Sequence, residues 1–317
     1  MPGEIKNMPM NSPGTPSAGP VMASRPVPAL TIGTLEGNGA AGGAMGAGVG
    51  AGAGVKAYFK PVSAIMRPPR IALSLEALDK CGKSHWAIMT PPGPLVVAMT
   101  DDGTEYVLRK AKAAGRPVAG VLDLHYTRPA TIGKSQANET LQKEWREKWE
   151  LFKNGMNAVA ADKSIRTVVR DTETEIWQLA QLAYFGRLTQ IPQHLRTECN
   201  ADYLRTFRVL YGREDLNIVL VHQLKKEYKP NSKGEADWTG KYERDGMNKI
   251  GFAVDLVLRA GWDGNRRSFY TQVPTEQATR FGADLAGKQW YGEESGFGYL
   301  GMELFPETGL TPEVWGL

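Results

Sequence analysis

Short apolar runs, each bounded by polar or turn-forming residues, recur along the chain and predict the strands of a buried sheet. The last two runs are joined by Trp262-Asp263-Gly264-Asn265, a stretch typical of a hairpin turn. The predicted strands are residues 71–75, 95–99, 118–124, 165–169, 217–221, 254–260 and 268–273.

Between the earlier strands, apolar residues recur at steps of three and four and predict amphipathic helices. The clearest pattern begins with Leu141, Trp145 and Trp149, and we interpret these tryptophans as core residues rather than base-stacking residues. Asn200 is placed to cap the last of the predicted helices. These helices are residues 83–89, 105–114, 138–161, 173–185 and 201–210.

Strands that alternate with helices indicate an α/β domain with a mostly parallel sheet flanked by helices. We expect this domain over residues 61–275, with a long polar loop at 224–249, and a C-terminal extension at 276–317 that packs on the core. A short helix is expected to start at residues 311–313. Residues 1–58 are rich in Pro, Gly, Ala and Ser, and we expect a disordered tail because such a segment buries too little apolar surface to offset its ordering entropy.

The composition is that of a soluble globular protein, with 317 residues, 42% of them hydrophobic, and a formal net charge of +4. This mildly basic balance permits contact with nucleic acid without requiring it. Cys81 and Cys199 are the 2 cysteines, and neither they nor the 4 scattered histidines have zinc spacing, so the sequence favours a reducing cytoplasm. The apolar run at residues 39–55 is almost all Gly and Ala, and we expect no membrane contact.

A candidate phosphate-binding loop follows the first predicted strand. It ends in Gly-Lys-Ser and opens the first predicted helix, where backbone N–H groups can surround phosphate oxygens. In this pattern Lys83 reaches the β- and γ-phosphates and Ser84 ligates Mg²⁺, so we predict that the chain binds a nucleoside triphosphate. Ala77 stands where the pattern has its first glycine, and the alternative is a plain turn whose lysine is solvated. The predicted nucleotide contacts are Asp79, Lys80, Cys81, Gly82, Lys83, Ser84 and His85.

A metal-binding carboxylate is expected at the end of another buried strand, where it would hold Mg²⁺ through water. Asp171 follows the strand at 165–169 and fits this position, and Arg170 stands before it where an apolar residue is expected. Asp123, at the end of an earlier strand, competes for the role, and an aspartate after a strand can instead cap a helix.

Hydrolysis also needs a group that orients the attacking water. His222 and Gln223 end a core strand, where a sensor of the γ-phosphate can lie. For His222 the alternative is a histidine whose hydrogen bonds are satisfied within the fold. The candidate carboxylates for orienting water are Asp101, Asp102, Glu105, Glu173 and Glu175. As catalytic residues we predict Lys83, Asp171, Glu175 and His222, with Ser84 and Asp171 at the metal.

Six stretches occur in a characteristic order, namely residues 80–85, 92–95, 101–105, 165–177, 219–225 and 239–244. Their order resembles that of phage-encoded RecA-like P-loop ATPases, and the resemblance covers residues 68–275. It implies a RecA-like core that uses ATP and Mg²⁺ beside phage recombination and replication functions. Some members resemble single-strand annealing recombinases that act with a single-strand-binding protein.

By position, the resemblance assigns nucleotide and metal roles to Lys83 and Ser84, the Walker B acid to Asp171 and the γ-phosphate sensor to His222. It further implies single-stranded DNA as a partner, a homo-oligomer, and the host-cell cytoplasm as the location of a phage-encoded protein. Ala77 and Arg170 are the two departures from the family pattern.

The polar stretch at 224–249 combines cations, which can neutralise phosphates, with aromatic residues, which can stack on unpaired bases. Its acidic residues nearly cancel the positive charge, and a loop at a subunit interface is the alternative. The predicted DNA contacts are Lys225, Lys226, Lys229, Lys241 and Arg244.

Two other functions stay open beside a DNA-stimulated ATPase. One is a small-molecule P-loop kinase, although no arginine-rich lid can be identified in the sequence. The other is a nucleotide-gated interaction protein without catalytic activity, which Ala77 and the Gly- and Ala-rich tail favour.

Overall fold

The computed structural model describes residues 70–129, 139–232, 234–247, 250, 253–264, 268–275, 285–306 and 315. The tail expected at residues 1–58 and the helix start expected at 311–313 lie outside the described residues.

Nine strands and six α-helices make up the described domain. The strands are β1 (Ala72–Ala77), β2 (Leu95–Met99), β3 (Val118–Asp123), β4 (Thr167–Asp171), β5 (Asn217–Pro230), β6 (Ala236–Asp245), β7 (Leu256–Trp262), β8 (Phe269–Gln272) and β9 (Gln289–Tyr291). The α-helices are α1 (Lys83–Met89), α2 (Asp102–Ala113), α3 (Glu139–Ala161), α4 (Glu173–Phe185), α5 (Arg196–Tyr211) and α6 (Phe297–Leu304). Two short 3₁₀ helices cover Gln193–Leu195 and Gly292–Ser295.

The nine strands form one sheet in the order β3-β2-β4-β5-β1-β7-β8-β9, and β6 pairs with β5 outside this path. The strands from β3 to β7 in this order are parallel, whereas β8, β9 and β6 are antiparallel to their neighbours. The predicted α/β class with a mostly parallel sheet flanked by helices is therefore confirmed. The predicted hairpin is also present as β7 and β8, although β7 itself runs parallel to β1.

The sheet carries a hydrophobic core on each face, because successive side chains of a buried strand point in opposite directions. One core contains Leu73, Leu75 and Ala77 of β1 together with α1, α2 and α6. The other contains Ala72 together with α3, α4 and α5. Trp145 belongs to this second core and is fully buried, as its position in the helical pattern predicts.

The stretch predicted as a long polar loop is instead a two-stranded antiparallel ribbon. β5 continues well past the strand end predicted from the sequence, and β6 pairs back onto it. Beyond Gln223 most residues of the ribbon are exposed on both faces, so the sequence there has no alternation of apolar and polar residues. The pairing depends on backbone hydrogen bonds and cross-strand side-chain pairs, which periodicity does not register.

The helix predicted to follow a loop at residues 186–200 begins earlier. α5 starts at Arg196 with Leu195 at its N-cap, so Asn200 lies within the helix and the predicted cap is wrong. The first turn carries mostly polar residues, and only Cys199 among its early positions is buried and apolar, which left the pattern too weak to show the start.

Arg170 is fully buried, and its neighbours explain why an arginine stands in this strand. Its Nε lies 2.6 Å from Glu173 Oε2, and its guanidinium lies 4.0 Å from the ring centroid of Phe207. The Tyr203 hydroxyl donates a further hydrogen bond to the same carboxylate. Burial raises the pKa of Glu173 to about 7, while the adjacent arginine opposes that shift. Because side chains alternate along β4, this ion pair lies in the core on the sheet face that does not carry α1, and the side chain of Asp171 points to the other face.

We expect Arg170→Met to destabilise the protein by roughly 3–5 kcal/mol, because it leaves the Glu173 carboxylate buried without its cation. Urea unfolding measures this loss. The matched control is Arg109→Met, which removes the exposed Arg109–Glu105 pair on α2 and should cost at most about 1 kcal/mol. A double variant with Glu173→Gln should lose less than the sum of the single variants. If Arg170→Met and Arg109→Met lowered the free energy of unfolding equally, the buried pair would contribute no more to stability than the exposed pair.

Candidate functional site

The carboxyl ends of β2, β4, β5 and β1 lie side by side in the parallel sheet. Met99 pairs with Asp171, Asp171 with Val221, and Ala77 with Gln223. Crevices outside the carboxyl ends of parallel strands are where α/β sheets bind ligands. The loop after β1 and the turns after β2 and β4 all open onto this edge.

The segment between β1 and α1 adopts the conformation of a tight loop. Lys80 and Gly82 have positive φ angles of 58° and 86°, and Gly82 is the N-cap of α1. A glycine is favoured at this N-cap because residues with a β-carbon rarely adopt such a conformation. Ala77, in contrast, is the last residue of β1 and has no positive φ. The position at which the motif has its first glycine therefore adopts a backbone conformation here that an alanine can also adopt.

Lys83 lies inside the loop rather than in solvent. Its side chain is 7% exposed, and Nζ donates hydrogen bonds to the carbonyls of Ala77 at 3.2 Å and Leu78 at 2.7 Å. Burial lowers the pKa of Lys83, and the surrounding carboxylates, including those of Asp79 and Asp171, oppose that shift. Lys83 is therefore not solvated, in contrast to the lysine expected for a plain turn.

Asp171 is fully buried at the end of β4, near Lys83 and Ser84 at the start of α1. Its Oδ2 accepts a hydrogen bond of 2.7 Å from the Thr104 hydroxyl. Burial raises the pKa of Asp171, and its interactions with the Thr104 and Ser84 side chains oppose that shift. Oδ1 has no hydrogen-bond partner among the described atoms. Thus Lys83, Ser84 and Asp171, which were predicted from separate stretches of sequence, are brought together.

Asp123 occupies a different place. It ends β3, which is separated from β4 by β2, and its exposed carboxylate bonds the ring of His125 at 2.6 Å. It does not compete with Asp171 for contact with Ser84.

Glu175 is buried near this cluster in the first turn of α4. It forms an ion pair with Arg128 and lies close enough to Thr100 and Asp101 for both to influence its pKa. Burial is the main cause that raises the pKa of Glu175. Oε2 makes no hydrogen bond to any described atom.

The other candidate carboxylates have separate surroundings. Asp101 is exposed and caps α2 by accepting from the Gly103 N–H at 3.0 Å. Asp102 is exposed and lies 2.9 Å from His125 Nε2, and Glu105 pairs with Arg109 on the surface of α2. Glu173 belongs to the buried ion pair with Arg170, in the core on the other face of the sheet.

His222 is not brought together with Lys83 and Asp171. Its Nδ1 is 2.9 Å from the Ser74 hydroxyl, on the sheet face that also carries Leu220 and Arg170. Burial lowers the pKa of His222 well below its usual range. Gln223, the next residue, lies by strand alternation on the face of Ala77, and its N–H donates to Thr174 Oγ1 at 3.0 Å. Side chains alternate along β5, so His222 and Gln223 lie on opposite faces of the sheet. The pairing of β5 with β1 shows which of the two shares the face of Ala77.

Thr100 and Thr104 are site residues to which the sequence assigned no role. The Thr100 hydroxyl accepts a hydrogen bond of 3.0 Å from the Thr172 N–H, and Thr104 binds Asp171. Both threonines follow β2 in the sequence, and their hydroxyls contact residues at the end of β4. These contacts become evident only from the pairing of β2 with β4.

The β5–β6 ribbon carries the residues predicted to contact DNA. Lys226 Nζ lies 5.1 Å from the ring centroid of Trp238, and that ring makes an edge contact with Tyr242. Lys225 pairs with Asp245 at 3.2 Å, and Lys229 pairs with Glu227 at 3.0 Å. Lys241 is exposed in the middle of β6.

Arg244 differs from the other cations of the ribbon because it points inward. Its Nε donates to Oε1 of the fully buried Glu76 at 2.6 Å. It is therefore a structural residue at the base of the ribbon, joined to the strand that leads into the loop.

No described helix is both long and apolar enough to span a membrane. No group of three or more His, Cys, Asp and Glu residues capable of holding a metal ion occurs in the described ranges.

Comparison of the chain with protein-family models and with curated protein sequences found no match.

Proposed function

We propose that this protein is a RecA-like ATPase that binds ATP and Mg²⁺ at the carboxyl edge of the sheet and acts on single-stranded DNA. The observation that carries the proposal is that the buried amine of Lys83 and the buried carboxylate of Asp171 lie close enough to interact electrostatically, with the Ser84 side chain near that carboxylate. The start of α1 thus supplies a cation and a hydroxyl, and the end of β4 supplies a carboxylate, to the same region.

The donor set suits Mg²⁺ bound together with a nucleotide. Asp171 Oδ1 has no hydrogen-bond partner among the described atoms although it is buried, and the Ser84 hydroxyl adjoins the same carboxylate. Mg²⁺ in nucleotide sites is usually bound by one or two protein groups, substrate phosphates and water, so a cluster of three ligands is not required. When bound, the ion would neutralise charge that develops on the phosphoryl oxygens.

Lys83 is suited to the phosphate chain because its amine already faces the interior of the loop. The carbonyls of Ala77 and Leu78 hold it there, and a phosphate would replace them as the partner of the ammonium. The reduced dielectric of a buried position strengthens such a charge pair. Backbone N–H groups of the loop and of the first turn of α1 add hydrogen-bond donors.

The strand order supports a RecA-like arrangement. β5, which the family resemblance assigns to γ-phosphate sensing, lies between β1 and β4. Its end therefore stands between the loop and Asp171. We assign the sensing role to Gln223 rather than to His222, because Gln223 shares the face of Ala77.

Glu175 is our candidate for orienting the attacking water. It lies in the turn that follows Asp171, its Oε2 has no hydrogen-bond partner among the described atoms, and burial raises its pKa. A glutamate whose pKa is raised accepts a proton more readily in the transition state than an ordinary glutamate.

The ribbon supports contact with a single strand. Trp238 and Tyr228 are about half exposed and lie opposite each other in the ribbon register, and Lys226 and Lys241 are exposed beside them. Aromatic side chains stack on unpaired bases of any sequence, while the ammonium groups neutralise phosphates.

Lys83→Ala should lower ATP turnover by about 100-fold or more, since it removes the cation that faces the phosphates. The measurement is ATP hydrolysis by the purified full chain with and without single-stranded DNA, and wild-type turnover should rise when DNA is added. Lys110→Ala, which removes a cation from the surface of α2, is the control and should keep wild-type turnover.

Three outcomes of this assay would count against parts of the proposal. Full turnover by Lys83→Ala would exclude the loop as the site. Nucleotide binding without an effect of DNA would exclude the action on single strands. A change in assembly alone would indicate a nucleotide-gated interaction protein.

Glu175→Gln should lower kcat by about 100-fold or more while ATP binding is retained. Because a base must be ionised and the pKa of Glu175 is raised, wild-type turnover should fall with decreasing pH at a higher pH than for an ordinary glutamate. This acid limb should be absent in the variant. Glu105→Gln is the control, since Glu105 pairs only with Arg109 in the described contacts. A large loss for Asp101→Asn with a small one for Glu175→Gln would assign the role to Asp101.

Trp238→Ala should weaken binding of single-stranded DNA by about 10-fold, as expected for the loss of one stacking side chain. Lys241→Ala should reduce the slope of log affinity against log salt by about 0.7. Fluorescence anisotropy with a labelled oligonucleotide measures both. Tyr291→Ala is the matched control, because Tyr291 and Trp238 are each 49% exposed and Tyr291 lies on β9. Unchanged affinity in Trp238→Ala would remove the ribbon from the DNA interface.

A further inference from the structure

An apolar cavity of about 770 Å³ opens directly beside the loop before α1. It is bounded by α1, by the β7–β8 hairpin and by the segment that leads into α6. Trp262 and Phe269 form one wall, with ring centroids 5.6 Å apart at 75°, and Tyr299 and Met89 contribute to others. The volume is in the range of cavities that hold small organic ligands.

The cavity is continuous with the loop. Gly82 and His85 line it, although both belong to the stretch predicted to contact the nucleotide. A β-carbon built on Gly82 would lie 3.6 Å from the Phe269 ring, so this ring packs against the loop itself. A ligand whose phosphates lie on the loop would therefore have its remaining atoms at the mouth of the cavity.

Several polar groups of the cavity are already hydrogen-bonded within the protein. Trp86 Nε1 donates to the Ser295 carbonyl at 2.6 Å, and the Ser295 hydroxyl donates to the Gly292 carbonyl at 2.6 Å. The Thr90 hydroxyl donates to the Trp86 carbonyl at 2.9 Å. With these groups paired, the aromatic faces of Trp262 and Phe269 provide much of the contact surface, and the exposed His85 and Glu293 are the ionisable residues of the lining. Such a surface suits a flat, polarisable ring better than a charged or strongly hydrated group.

We propose that this cavity binds the nucleobase of the triphosphate, with the base stacked against Trp262 and Phe269. The inference rests on the proposed nucleotide site and adds the β7–β8 hairpin and the segment before α6 to it. The base is held by its ring faces, so purine nucleotides with different edges should bind with similar affinity. The C-terminal part of the chain thereby completes the binding site.

The test compares ATP with inorganic tripolyphosphate, each with Mg²⁺, by calorimetry on the full chain. Wild-type protein should bind ATP at least about 10-fold more tightly than tripolyphosphate, which lacks the base. Trp262→Ala and Phe269→Ala should each weaken ATP binding by about 10-fold and leave tripolyphosphate binding unchanged. Trp262→Phe should restore most of the ATP affinity. GTP should bind within about 10-fold of ATP.

Control variants separate a local effect from a loss of folding. Trp262 is 43% exposed, so its removal should leave the urea midpoint near that of wild type, and Phe269→Leu replaces Phe269→Ala if that variant unfolds. Tyr106→Ala removes an exposed aromatic ring from α2, outside the cavity, and should bind both ligands as wild type does.

The outcomes distinguish the two proposals. Unchanged ATP affinity in the Trp262 and Phe269 variants, with tripolyphosphate still bound, would overturn the base assignment and leave the phosphate site intact. An equal loss of ATP and tripolyphosphate affinity in these variants would also overturn it. Failure of wild-type protein to bind either ligand would overturn the nucleotide site, and the base assignment with it.

Discussion

Successive side chains of a strand point to opposite faces of the sheet, and the ends of β1, β4 and β5 depend on this alternation. Asp171 lies with the loop and α1, whereas Arg170, one residue earlier, is buried among the aromatic residues of the other core. Ala77 leads into the loop, whereas Glu76 binds Arg244 of the ribbon. A shift of one residue in the register of any of these strands would move the residues beside the loop to the other face of the sheet and bring the buried ion-pair residues to the loop.

The alternation also explains how so many ionisable groups are tolerated in the interior. Glu173 and Arg170 neutralise each other, and Glu76 is neutralised by Arg244. Such pairs are weak evidence for stability, because desolvation of both charges offsets much of their attraction. Asp171 is different, since one oxygen accepts a hydrogen bond from the Thr104 hydroxyl and the other has no hydrogen-bond partner among the described atoms. An unpaired buried carboxylate oxygen of this kind supports the proposal that Asp171 contributes to a metal site.

The base of the ribbon is joined to the candidate site by two sets of contacts. Arg244 reaches Glu76 beside the loop, and Thr174 Oγ1 donates to the Asp245 carbonyl at 2.6 Å while accepting from the Gln223 N–H. These contacts connect both strands of the ribbon to the end of β1 and to the first turn after β4. They therefore join the proposed nucleotide edge to the surface proposed to bind DNA.

The sequence by itself determined the class of the fold and most of its central elements. Apolar runs and helical periodicity predicted α1, β2 and α4 with the bounds that the structure has, because buried elements carry their pattern in their own residues. The Gly-Lys-Ser stretch and Asp171 were also found from local pattern. The N-cap at Asn200 and the polar loop at 224–249 were wrong, because in both places few residues are buried and the pattern is weak.

Only the tertiary structure decided which of these residues meet. Strand order places β5 between the loop and Asp171, pairing of β2 with β4 brings Thr104 to that carboxylate, and alternation directs His222 away from the loop. The aromatic cavity joins segments on either side of the predicted domain boundary at residue 275. Contacts of this kind depend on register, face and long-range packing, and a linear pattern of hydrophobic and polar positions contains none of the three.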